Sequence, residues 1–388
     1  MERESDVIVL GLGGIGSGAA YWAARSGARV LGIERFDLGH ARGGSHDHSR
    51  IIRLSYHAPN YVALAKEAYA AWAQVEYDVG ERLIFKTGGL DLGPRDGAIP
   101  LQGYADAMHA CDVPYETLDA AEIRRRFPAF AVGEDVWGLF QADGGIVAAE
   151  RATAAHQRAA VVAGATLLEH TAVTRIDVRD GEVLVAAGDT TYRAGQLIVA
   201  SGAWTNEALA HAGLHLPLDV TKEQAMYFRP ANTEPFAFGS FPVWIWMDDP
   251  SFYGFPVFGE PGAIKVTQDA GGRSVDPNTR TFEPDAEITA RVRAFLAAHL
   301  PALDAPVHAI KTCLYTLTPD RDFIIDTLPM HRNVHVAVGA GHAFKFASAI
   351  GRILSDLALR GTTHSDISGF SLARPILHMA QPPKTYMV

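Results

Sequence analysis

The sequence predicts an α/β fold in two domains, one built on parallel strands and the other α+β with a mostly antiparallel sheet. Three observations support this. At 388 residues the chain exceeds the usual size of one domain and can bury a large core. Apolar strands that end in glycine just before a helix recur near its beginning, middle and end. Between them, residues 216–265 are rich in aromatics and prolines (PVWIWMDDPSFYGFPVFG), the composition of antiparallel strands joined by tight turns.

Residues 6–10 (DVIVL) form an apolar run without alternation, as expected of a strand buried on both faces. A glycine-rich turn follows, then a helix rich in small residues over 15–26. A second apolar strand, 28–34 (ARVLGIE), ends in an acid and completes one βαβ unit. Residues 197–200 (LIVA), closed by Ser201-Gly202, form another buried strand. So do residues 334–338 (VHVAV), followed by Gly339-Ala340-Gly341 and a helical stretch over 345–359. These pieces make one discontinuous cofactor domain from 1–85, 145–215 and 305–388. Residues 86–144 and 216–304 then form a domain that covers a ligand.

A formal charge of −10 argues against a nucleic-acid partner, which needs a concentrated basic face. Local cations can still receive an anionic substrate. The N-terminus, Met1-Glu2-Arg3-Glu4-Ser5-Asp6, is charged and runs straight into a strand, unlike a signal peptide. No apolar run approaches the ~18–20 residues of a membrane span. Two cysteines, Cys111 and Cys313, make no disulfide framework, and a reducing cytoplasm is the simplest location. No metal is expected.

Gly11-Leu12-Gly13-Gly14-Ile15-Gly16 fits G-x-G-x-x-G. The first glycine permits the tight turn, the second lets backbone N–H groups approach a pyrophosphate, and the third allows close packing of helix on strand. The helix N-terminus then faces the phosphates with its partial positive charge. Glu34 stands about 20 residues on, where an acid accepts hydrogen bonds from the adenosine ribose. The pattern leaves NAD and FAD both open, and its acid disfavours the 2′-phosphate of NADP.

Four further segments resemble the monomeric sarcosine oxidase and N-methyltryptophan oxidase family of flavin amine oxidases. They are Gly43-Gly44-Ser45-His46-Asp47-His48-Ser49-Arg50-Ile51-Ile52-Arg53, Ala200-Ser201-Gly202-Ala203-Trp204, the block from Cys313-Leu314-Tyr315-Thr316 through Phe323-Ile324-Ile325-Asp326, and Gly341-His342-Ala343-Phe344-Lys345-Phe346. The resemblance implies a Rossmann-like FAD domain of the glutathione-reductase type. It places Gly11, Gly13, Gly14, Ile15, Gly16, Glu34, Arg35, Gly44, Ser45, His46, Arg50, Val173, Gly202, Trp204, Gly341, His342 and Lys345 around FAD. It also implies covalent attachment of the flavin through Cys313. By itself Cys313 reads as a small buried hydrophobe, the reading that Cys111 keeps.

The same resemblance makes Arg53 and Lys345 a carboxylate-binding pair, a planar fork and a point charge that together orient an amino acid. Arg50 would support negative charge on the reduced ring. Lys265 would activate oxygen, since a fixed cation stabilises developing superoxide. Tyr253 and Tyr315 would line the substrate cavity, and His342 would tune the amine or pack on the cofactor. As bare residues Arg53 is also a candidate salt-bridge partner, Lys265 a solvated lysine, and both tyrosines core aromatics.

Departures from the family pattern fall on the substrate side. Asp269 stands where sarcosine oxidases carry a histidine, and can bind a substrate ammonium or shift its pKa. Trp244 and Trp246 stand near Tyr253 where those enzymes have smaller side chains, which makes Trp244 a substrate contact. The glycine turn before His342 is one residue shorter. The expected reaction is oxidation of a secondary amino acid, N-methyl or cyclic, to an imine, with oxygen reduced to hydrogen peroxide by a monomeric enzyme. A flavin dehydrogenase with another acceptor, an NAD-linked reductase and a non-catalytic FAD-binding protein are the competing readings.

Overall fold

The computed structural model describes residues 3–383; Met1 and Glu2 of the charged N-terminal stretch and residues 384–388 lie outside them. At the centre of the first sheet is the strand Arg3–Leu10, whose Val7, Ile8 and Val9 are fully buried. It pairs in parallel with Thr190–Val199 on one side and Val30–Ile33 on the other. Thr166–Leu168 extends the sheet beyond Val30–Ile33, and His331–Val338 joins the C-terminal part of Thr190–Val199, both in parallel. An antiparallel hairpin, Val173–Arg179 with Glu182–Ala187, and the strand Ile324–Leu328 bring the sheet to eight strands. Strands this apolar need cover. The helices Gly14–Arg25, Ala149–Val162 and Ala347–Arg360 supply it, packing on one another through small residues such as Ala19, Ala152 and Ala349.

The second sheet has nine strands and is antiparallel except where Gly89–Pro94 runs parallel to Val243–Trp246. Its core is aromatic: Phe130, Phe236, Phe241, Trp244 and Phe252 pack with Phe295 of the helix Ala286–His299. Val307–Leu317 lies in this sheet, although the sequence reading grouped 305–388 with the cofactor segments. A long antiparallel register with Asp219–Phe228, from Asp219 opposite Leu317 to Phe228 opposite Val307, holds it there. Residues 318–323 then carry the chain across to Ile324–Leu328 in the first sheet. That crossing is pinned. Arg374 forks onto the Asp320 carboxylate at 2.6 and 3.0 Å and donates to the carbonyls of Asp322 and Phe323.

A small antiparallel sheet of Ser49–Ile52, Gly145–Ala148 and Ile84–Lys86 lies between the other two. Its Ile51 and Ile146 pack with Val243 and Phe255 of the second sheet, while Ile52 and Val147 join the cluster under the helices. Among the described residues no helix is long and apolar enough to cross a membrane.

Candidate active site

A cavity of ≈ 640 Å³ runs from the glycine turn, past the small sheet, to the inner face of the second sheet. Its outer end is built by the βαβ unit. Gly11 holds φ +83°, and a Cβ there would lie 2.7 Å from the Ala200 carbonyl oxygen. Gly16 is tighter still, with a Cβ meeting the Gly11 oxygen at 1.8 Å, so only glycine lets the helix begin this close to the strand. Gly16 therefore sets the packing, while Gly11, Gly13, Gly14 and Ile15 line the cavity. Ser45 Oγ accepts from the Gly14 N–H at 2.9 Å and steadies the helix start.

Glu34 lies 5% exposed on the cavity wall and accepts from the N–H groups of Leu12 (2.9 Å) and Phe36 (3.1 Å). Burial works against its charge, but His40 and these amides outweigh it and hold the carboxyl below its usual range. Arg35, Val173, Gly202 and Trp204 border the same end, with the Arg35 guanidinium 5.5 Å over the Trp204 ring. Helix-start amides for a pyrophosphate and an ionised acid for ribose hydroxyls fit a dinucleotide.

Further in, Arg50 donates to the carbonyls of Ser49 (2.8 Å), Gly44 (2.9 Å) and His46 (2.8 Å). The carbonyls position the guanidinium, and Asp47 Oδ2 stands 4.0 Å from its Nη1. His46 lines the cavity with its buried Nε2 unpartnered, and burial pulls its pKa down to about 4, leaving it neutral. On a cavity wall, such an atom is one that a bound group can satisfy.

At the inner end stand Arg53, Lys345, Tyr253, Tyr315, Asp269 and His342, all on the cavity wall, with Gly44 and Gly341 beside them. Arg53 donates to Asp91 Oδ1 at 2.8 Å. Burial, with Arg53 close by, pulls the Lys345 ammonium down to about 7. The hydroxyls of Tyr253 and Tyr315 meet at 3.2 Å, and Asp269 is ion-paired with Arg321 at 2.9 Å. His342, held well below its usual pKa by burial, lies 2.8 Å from the Arg321 carbonyl and 4.4 Å from the Phe323 ring. It is therefore neutral and packed against Phe323.

Trp244 is not a substrate contact. It is fully buried in the aromatic core, stacked on Phe295 at 5.7 Å, because strand alternation turns Ile245 to the cavity and both tryptophans away. Lys265 and Cys313 are not among the residues that line the cavity. Lys265 is buried against Asp47, with Nζ 2.6 Å from Oδ2. Cys313 is partly exposed, two residues before Tyr315 and so on the same strand face. Burial pushes its thiol up to about 11, against the pull of Arg50.

Three charged residues of the site escaped the sequence reading: Asp47, Asp91 and Arg321. Each is defined by a partner far along the chain. Asp91 carried the one local signal, an acid between Leu90 and Leu92 in an otherwise apolar strand.

The family described as FAD dependent oxidoreductase matches residues 6–357. A monomeric sarcosine oxidase of Streptomyces avermitilis is 38% identical over 384 residues, 96% of this chain and 98% of that one. The N-methyl-L-tryptophan oxidase of Yersinia pestis (strain Pestoides F) is 33% identical over 375 residues, 95% and 99% of the two chains. Among solved structures, NikD, an unusual amino acid oxidase essential for nikkomycin biosynthesis, aligns with a TM-score of 0.85 at 32% identity, covering 95% of this chain and 97% of that one. The chain belongs to the FAD dependent oxidoreductase family, among its sarcosine oxidase and N-methyltryptophan oxidase relatives.

Proposed function

We propose that the chain is a monomeric oxidase of a secondary amino acid, N-methylated or cyclic, that reduces oxygen to hydrogen peroxide. The observation that carries this reading is the meeting of Lys345 and Arg53 in a chamber walled by Tyr253, Tyr315, Ile245 and Met247, continuous with the dinucleotide end. The names of the relatives, sarcosine oxidase and N-methyl-L-tryptophan oxidase, support an N-methyl amino acid.

The substrate carboxylate sits on Lys345 with help from Arg53. Arg53 shares its charge with Asp91 and serves mainly to orient. The apolar walls and paired tyrosines exclude water and take up a larger side chain. Asp269, its charge shared with Arg321, faces the amine end and accepts an N–H. The N–H groups of Gly13 and Ile15 at the helix start, with Glu34, would hold FAD, which would supply a two-electron acceptor for oxidation of the carbon beside nitrogen. Water then hydrolyses the imine to a carbonyl product and an amine.

A peroxide-coupled screen of N-methyl, cyclic and primary amino acids tests the reading; its expected result is the highest kcat/KM for secondary amino acids with apolar side chains, and turnover of primary amines alone would overturn it. Lys345→Met should raise KM by about 10–100-fold, the worth of one charge-assisted hydrogen bond. Lys345 is charged below its pKa of about 7, so carboxylate affinity is present at low pH and is lost as pH rises through that value. A flat affinity profile from pH 6 to 8 would remove Lys345 from this role.

We also propose that Cys313 carries the flavin covalently, as its place on the face of Tyr315 supports. Acid-precipitated protein should stay yellow, whereas Cys313→Ser should release the colour to the supernatant. A colourless wild-type pellet leaves Cys313 a packed thiol.

A further inference from the structure

We propose that Asp47 is a positioning residue for the oxygen-side cation: it grips the Lys265 ammonium inside the protein and keeps it charged. The proposal rests on the reading of Lys265 as that cation. Asp47 is 2% exposed and Lys265 is 4% exposed, with Lys265 Nζ 2.6 Å from Asp47 Oδ2 and donating to the Ser49 carbonyl at 3.0 Å. The other carboxylate oxygen accepts from Tyr227 Oη at 2.6 Å and Lys311 Nζ at 2.9 Å. One side chain from the loop before Arg50 therefore gathers donors from three strands of the second sheet, Asp219–Phe228, Ile264–Gln268 and Val307–Leu317.

An ammonium so deeply buried, with Arg50 nearby, would lose its proton without a counter-ion. The groups facing it are Asp47, Arg50 and His46 from the loop and the small sheet, Tyr227 from one strand, and Lys311 and Cys313 from another. Of these, His46 is neutral, burial keeps the Tyr227 hydroxyl and the Cys313 thiol protonated, and Arg50 and Lys311 are cations. Asp47 is the anion in contact with the ammonium; the Glu150 carboxylate accepts from the Asp47 N–H at 2.8 Å and lies 3.6 Å from His48. Burial opposes its charge, but Lys265 and Arg50 outweigh this and hold the carboxyl well below the usual range. With Asp47 in place, burial leaves the ammonium at about 8, so it is charged below that pH and loses its charge as pH rises through it.

Asp47→Asn keeps the shape, and asparagine tolerates the φ of +83° at this position. The readout is a ¹³C-lysine NMR titration of the holoenzyme, which has seven lysines, with the Lys265 signal assigned by its loss in Lys265→Met. In Asp47→Asn the Lys265 midpoint should fall by about 1–3 pH units, the reach of an adjacent opposite charge. Lys311→Met, at the solvent end of the cluster, should move it the other way by removing a like charge. Flavin reoxidation at pH 8 should slow by about tenfold in Asp47→Asn, with reduction by substrate little changed. A Lys265 midpoint that stays in place or rises in Asp47→Asn overturns the proposal. A midpoint that falls while Lys265→Met reoxidises normally supports the grip of Asp47 on Lys265 and overturns the oxygen reading instead.

Discussion

Lys265→Met slows the return of yellow absorbance in air by about 10²–10³-fold, the cost of removing one preorganised charge from a developing anion, and leaves bleaching by substrate within about twofold. The split is expected because the two half-reactions use different parts of the site. In the proposed function, substrate would rest on Lys345, Arg53 and the tyrosine pair, all on the cavity wall. Lys265 does not line that wall and lies against Asp47 and the Ser49 carbonyl, where it touches no substrate group. Methionine matches the length of the lysine stem and fills the space beside Phe255, whose ring lies 5.0 Å from Nζ. Stopped-flow measurement of each half-reaction checks this. Equal slowing of both assigns Lys265 to the architecture of the site, and slowing of neither ends its oxygen role.

Gly16→Ala yields protein with less than about a tenth of the wild-type flavin content and a lower melting temperature, since forcing one extra carbon into a packed contact costs about 1–3 kcal/mol or more. The added Cβ would lie 1.8 Å from the Gly11 carbonyl oxygen, and backbone cannot swing aside as a side chain can. The helix must retreat from the strand, and its first amides leave the cavity with it. Flavin content by absorbance, alongside a thermal melt, reads both effects. Gly103→Ala, in a helix where nothing lies within 4 Å of the added atom, is the control and should change neither.

Local features of the chain were legible. The strand Arg3–Leu10, the glycine turn, the helix Gly14–Arg25 and the acid Glu34 sit within one stretch, and Gly11 and Gly16 answer to nearby backbone contacts. The mistake at Trp244 has a physical cause. Val243–Trp246 is apolar throughout, so nothing in its composition says which parity faces the cavity, and only the pairing with Gly89–Pro94 and Phe252–Gly254 decides it. Asp47, Asp91 and Arg321 were hidden for a related reason. A buried charge is recognised by its counter-ion, and theirs are Lys265, Arg53 and Asp269, each brought close by sheet topology. The strand Val307–Leu317 looked like cofactor-domain material because its partner, Asp219–Phe228, is distant in sequence.

The crossing at residues 318–323 limits how substrate can come and go. Besides the grip of Arg374, Asp322 accepts from Tyr61 Oη at 2.8 Å, and Arg321 reaches across to Asp269 at 2.9 Å. A hinge needs a few residues free to change their backbone angles, and this short link has its side chains and carbonyls tied on both sides. These ties join the two large sheets at the cavity, so a displacement of one against the other at this link must first break them.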